Sequence, residues 1–208
     1  MANMITLLRF LLLFLLMGIA YWGEPGLQLL DAPLLVLIIA LDGLDGYVAR
    51  LRHETSVFGA IFDIAVDRVV EVVLWVMLGH LKLVPMWVAY VFIIRGAVVD
   101  SIRYSAVSRG ETPFGMMRMS LGRVLVAGRF MRGLYGTVKA VTFAWVLLLQ
   151  PLPTMAPALW EAWSAGAAMI TDALVYASVT LCIVRGVPVV LEFFAQNRVL
   201  STMQAEVE

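Results

Sequence analysis

The sequence predicts an all-α integral membrane protein with six transmembrane helices. Three observations carry this expectation. Of 208 residues, 62% are hydrophobic and only 14% charged, with a mean hydropathy of +0.92, so the solvent of this chain is a bilayer. Apolar runs recur at 5–22, 27–50, 56–81, 84–107, 134–149 and 167–191, and a helix rising about 1.5 Å per residue needs roughly 20 residues to cross ~30 Å of hydrocarbon. The basic residues are also one-sided: of fifteen Lys and Arg, only Lys82 falls in a connection assigned to the outside.

The first run, 5–22, is read as a transmembrane helix and not as a cleaved leader. Its basic residue, Arg9, lies inside the apolar stretch, with no charged region before it. The second and third runs carry Asp31, Asp42, Asp45, Arg50, Asp63, Asp67, Arg68 and Glu71 and are joined by the polar turn 51–56. The fourth run holds Arg95, Asp100 and Arg103 towards one end. Between the fourth and fifth runs, 108–133 spaces Arg109, Arg118, Arg123, Arg129 and Arg132 among Met and Leu residues, the pattern of a basic amphipathic helix lying on a membrane surface. The fifth run is the shortest and needs residues before 134 to complete a span. The sixth ends in a short polar tail, expected to be flexible from about 195 to 208. Domain count follows from length: one transmembrane domain over 1–208.

Orientation follows from the same basic residues. The outer connections, 23–26, 80–85 and 150–166, are rich in Pro and Trp, with Trp22, Trp87, Trp160 and Trp163 placed as interface anchors. Both termini, 51–56 and 108–133 are then cytoplasmic, in a cell (inner) membrane. Net charge is zero, so nothing points to nucleic acid. A lone cysteine, Cys182 in an apolar run, excludes a disulfide framework or a thiolate metal site. His53 and His80 stand too far apart to suggest a paired site.

One stretch carries the chemistry: DGLDGYVARLRHETSVFGAIFDIAVD, residues 42–67. Asp42 and Asp45 are three apart and share a helix face with Gly46 and Ala49. Gly59, Asp63 and Asp67 recur every four residues on the next helix. Two antiparallel helices joined by a turn this short bring four carboxylates towards one point at the cytoplasmic membrane surface. Each carboxylate at bilayer depth costs roughly 2.5–3.5 kcal/mol, and neighbours repel one another. An all-oxygen set suits a hard divalent ion, Mg²⁺ or Mn²⁺. More carboxylates than one ion needs suggests two ions, as in many phosphoryl-transfer sites. The contrasting reading pairs the aspartates with Arg50, Arg52 and Arg68.

This spacing resembles the signature of the CDP-alcohol phosphotransferases: D-x-x-D-G-x-x-A-R, eight residues, then G-x-x-x-D-x-x-x-D. Asp42, Asp45, Gly46, Ala49, Arg50, Gly59, Asp63 and Asp67 meet all eight of its fixed positions. The resemblance implies the six-helix membrane fold of that family, a homodimer, and transfer of a substituted phosphate from a CDP-linked donor to an alcohol with release of CMP. It implies metal ligation by Asp42, Asp45, Asp63 and Asp67, with Asp67 also the catalytic base taking the proton of the attacking hydroxyl. Gly46, Ala49, Arg50 and Gly59 are then donor contacts. The glycines let a nucleotide approach the backbone, and Arg50 makes charge-assisted hydrogen bonds to it. Asn3-Met4-Ile5-Thr6-Leu7-Leu8-Arg9 is similar to the N-x-x-T-x-x-R that often opens the family's first helix, which adds Thr6 to the donor contacts. Glu71, one turn beyond Asp67, is a candidate partner of the cluster.

The acceptor reading rests on two looser likenesses to bacterial phosphatidylglycerophosphate synthases, at Arg95 to Arg103 and at Gly136 to Ala140. They make Arg103 and Lys139 the candidate acceptor contacts. The expected donor is CDP-diacylglycerol and the expected acceptor sn-glycerol 3-phosphate, with serine and inositol phosphate as alternatives and membrane lipid all around. Two other classes stand against this reading: an ion-coupled transporter, which favours paired half-repeats and broken helices, and a catalytically silent lipid-binding scaffold.

Overall fold

The computed structural model of the chain describes residues 2–51, 57–108 and 122–205. Among them all regular structure is helical. The elements are α1 (Ala2–Trp22), the short α2 (Pro25–Gln28), α3 (Asp31–Leu51), α4 (Val57–His80), α5 (Met86–Ser108), a π-helical turn (Arg123–Ala127), α6 (Arg129–Leu149), the short α7 (Leu152–Met155) and α8 (Pro157–Ala205). In lipid every backbone polar group must be satisfied within its own segment, and a helix does that.

Among the described residues, four stretches are long and apolar enough to cross a membrane: Met4–Trp22, Pro25–Leu44, Arg129–Met155 and Pro157–Ala195. The six expected spans are therefore only partly matched by this measure. The two helices that fall short are the ones loaded with charge. α4 carries Asp63, Asp67, Arg68 and Glu71 in its middle, and α5 carries Arg95, Asp100 and Arg103.

Several boundaries differ from those the sequence suggests. The second run is broken at residues 29–30, because α2 starts at Pro25 and a fresh helix opens at Asp31. The outer connection 150–166 shrinks, since α8 already begins at Pro157 and continues unbroken through Pro188 to Ala205. Arg129 and Arg132 do not belong to a surface helix over 108–133. They open α6, which supplies the residues the fifth run lacked. Residues 109–121 of that basic stretch, and 52–56 of the polar turn with His53, lie outside the described residues.

The described residues form two compact units. The first joins residues 1–89 to 139–175. In it α1 packs on α3 and α4 through fully buried Leu13, Leu16, Leu35 and Ile38. Trp75 of α4, also fully buried, meets Phe143 of α6 with ring centroids 4.6 Å apart. Polar side chains close the helix contacts: Trp145 Nε1 donates to Thr171 Oγ1 at 3.0 Å, and Gln150 Nε2 to the Ala20 carbonyl at 2.7 Å. After α4 the chain reverses through Lys82 at φ 58°, and Gly79 lets Met86 cross closely; a Cβ there would stand 2.8 Å from Met86 Sδ. Outward apolar side chains such as Leu11, Phe14, Ile61 and Ile64 remain exposed, as lipid-facing residues do.

The second unit joins residues 90–138 to 176–208. Its core is Val99, Ile102, Ala106, Val126 and Val189, flanked by Val190 and Phe193. The π-helical turn ends at Gly128, where a Cβ would lie 2.3 Å from the Val124 carbonyl oxygen. Arg185 meets carbonyls on both sides of this break. Buried on α8, it donates Nη1 to the Met131 carbonyl at 2.7 Å and Nη2 to the Val126 carbonyl at 3.2 Å. Its guanidinium also lies 5.1 Å from the Tyr135 ring centroid.

Candidate metal centre

Asp42 lies on α3, Asp63 and Asp67 on α4. Asp63 and Asp67 are one helical turn apart, so their carboxylates stand on one face. The packing of the first unit places Asp42 opposite them. One oxygen from each of the three lies within 4.8 Å of the others. These side chains are half-exposed, at 42%, 40% and 50%, so the cluster is accessible from one side.

Arg9 approaches from the other side. Its side chain is 3% exposed, and it comes from α1. Nη2 stands 2.6 Å from Asp42 Oδ1 and 2.5 Å from Asp67 Oδ1, while Nη1 donates to Asp63 Oδ1 at 3.0 Å. These are charge-assisted hydrogen bonds at short separation. Sequence reasoning assigned Arg9 no partner in this cluster. The available signal was physical: a guanidinium inside an apolar span is expensive unless it meets an anion.

The other predicted residues are distributed as follows. Thr6 is buried on α1, three residues before Arg9 and on the same face. Gly59 is half-buried in the first turn of α4, four residues before Asp63. Asp45, Gly46, Ala49 and Arg50 occupy the last turns of α3, where the helical backbone alone is described. Glu71 binds two cationic side chains. It accepts from Lys139 Nζ through Oε1 and from Arg68 Nη1 through Oε2 at 2.7 Å. Lys139 thus belongs to the same unit as the aspartates, and Arg103, on α5, to the other.

The donor set fits a divalent cation. It is all oxygen, negatively charged, drawn from two helices and open on one face. Asp42, Asp63 and Asp67 are the residues that would hold the ion, and Asp45 shares the α3 face with Asp42 by its spacing. What these features define is a class: a helical membrane protein with a carboxylate centre built into its bundle. The particular family follows from comparison with known proteins. Residues 1–184 match the family model for CDP-alcohol phosphatidyltransferase, and the chain belongs to that family. It is also similar to the CDP-diacylglycerol--glycerol-3-phosphate 3-phosphatidyltransferase of Bacillus subtilis (strain 168), with 29% identity over 121 residues. That match covers 52% of this chain and 63% of the relative's length.

Proposed function

We propose that this chain transfers the phosphatidyl group of CDP-diacylglycerol to an alcohol and releases CMP, with sn-glycerol 3-phosphate as the acceptor. The observation that carries the reading is the meeting of Asp42, Asp63 and Asp67 within 4.8 Å, inside a stretch that meets every fixed position of the family motif. The name of the Bacillus subtilis relative supports the donor and acceptor. The domain, in this reading, is a single six-span transmembrane unit that works as a homodimer in the cell (inner) membrane, with its aspartates at the cytoplasmic face.

Two divalent cations, Mg²⁺ or Mn²⁺, would neutralise the donor's pyrophosphate charge when bound to Asp42, Asp45, Asp63 and Asp67. The chain's own residues do the rest. Thr6, Gly46, Ala49, Arg50 and Gly59 hold the nucleotide. A carboxylate oxygen of Asp67 takes the proton of the attacking hydroxyl as a positioned general base. Arg103 and Lys139 hold the phosphate of the acceptor.

Purified protein, CDP-diacylglycerol and a panel of acceptors, scored for CMP release with and without Mg²⁺ or Mn²⁺, tests the reading. Metal-dependent CMP release with glycerol 3-phosphate is the expected result. Release with serine or inositol phosphate alone would keep the transferase and change the acceptor. No metal-dependent release with any acceptor would leave a transporter or a lipid-binding scaffold as the better account.

A further inference from the structure

Three carboxylates and one guanidinium meet at the centre, which leaves two net negative charges among these four side chains. Carboxylates this close repel one another, and without a counter-charge they would separate or take up protons. Arg9 supplies that charge from within. It is nearly inaccessible, whereas the aspartates are open on their far side. A single nitrogen, Nη2, bridges α3 to α4 by contacting Asp42 and Asp67 together. Arginine suits the role because it stays charged in apolar surroundings and has several donors in a rigid fork.

The same contacts set up a competition. Each of the three Oδ1 atoms directed at Arg9 is an oxygen that a divalent ion would also seek. We propose that Arg9 is a resident counter-cation of the centre: it holds the three aspartates together before metal binds, and a divalent ion must displace part of its contacts to enter. The proposal rests on the metal-dependent reading above. It makes Arg9 a positioning residue that lowers metal affinity while stabilising the ion-free protein. An arginine with a purely structural role would instead support the ion-free and ion-loaded protein alike.

Full-length protein in detergent, without nucleotide, tests this with Mn²⁺ as the probe. Binding is read by titration calorimetry and stability by the melting temperature with and without Mn²⁺. Arg9→Gln should melt lower than wild type when ion-free, bind Mn²⁺ roughly tenfold more tightly, and gain more in melting temperature from Mn²⁺. Equal or weaker Mn²⁺ binding by Arg9→Gln, with an unchanged gain from Mn²⁺, would overturn the proposal. Should Arg9→Gln not fold, Arg9→Lys decides. Its single ammonium cannot span the three carboxylates as the fork does, so Mn²⁺ should still bind more tightly than to wild type, and equal or weaker binding would overturn the idea. Absence of Mn²⁺ binding to wild type and variants alike would overturn the metal reading itself. That result differs from equal binding, which removes only the role of Arg9.

Discussion

Lys139 of α6 donates its ammonium to Glu71 of α4, four residues beyond Asp67. Both side chains are largely buried, at 17% and 12% exposure. Glu71 also receives Arg68 from its own helix. The carboxylate therefore anchors α6 to the helix that carries two of the three clustered aspartates. Glu71→Gln should lower stability by about 1.5–3 kcal/mol, the range for a hydrogen bond to a charged group. The double variant Glu71→Gln/Lys139→Met should recover part of that loss, because the ammonium that faced Glu71 is then removed as well. Denaturant unfolding in detergent measures both. Additive losses would show that the pair is not coupled.

Asp67 and Asp63 stand one turn apart and are expected to separate in function. Asp67→Asn should cut CMP release by roughly 10²–10⁴-fold, the contribution of a positioned general base, while Mn²⁺ still binds. Asp63→Ala should weaken Mn²⁺ and donor binding together. Near-normal turnover in Asp67→Asn, with an ordinary metal dependence, would remove Asp67 as the base.

The proposed acceptor contacts are tested through KM. Arg103→Ala and Lys139→Ala should each raise the KM for glycerol 3-phosphate roughly ten- to a hundred-fold, as loss of a ~1.5–3 kcal/mol contact to a charged group implies. The KM for CDP-diacylglycerol should change little. Lys139→Ala should also lose stability through Glu71, which Arg103→Ala should not. Wild-type KM values in both variants would sink the glycerophosphate assignment and leave the transferase reading in place.

Arg185 serves backbone carbonyls at the break before α6. Arg185→Met keeps much of the side chain's apolar bulk and removes its donors. The Val126 and Met131 carbonyls would then lose the partner described here, at a cost of about 1–3 kcal/mol. Hydrogen exchange should speed up around 123–135 and stay unchanged in the first unit. Uniform exchange across the chain would contradict this local role.

Membrane orientation is accessible to cysteine labelling. In a Cys182→Ala background, a cysteine at position 54 should react with an impermeant reagent only after the cells are opened, if the proposed orientation, argued from the basic residues, holds. Labelling from outside intact cells would invert the topology and remove the proposed access of a cytoplasmic CDP-linked donor.

Helical character and the shared face of Asp63 and Asp67 were legible in the sequence, because both are local properties. Hydrophobic runs mark helices directly, and spacings of three and four put Asp63 and Asp67 on one face whatever the rest of the chain does. The motif that carries the family likeness is likewise contained in 26 consecutive residues. Some helix limits were less legible. Pro25 and Asp31 reset the second run, and Gly128 separates the π-helical turn from α6, features that hydropathy alone does not report.

Tertiary structure decided the partners. Arg9 is 54 and 58 positions from Asp63 and Asp67, and Lys139 is 68 from Glu71. No periodicity relates residues that far apart. The packing of α1 on α3 and α4 directs the guanidinium into the cluster, and α6 on α4 gives Glu71 its ammonium. The physical reason is common to both. A charge buried in an apolar helix must find its opposite, and sequence shows the need while only the packed helices show which residue meets it.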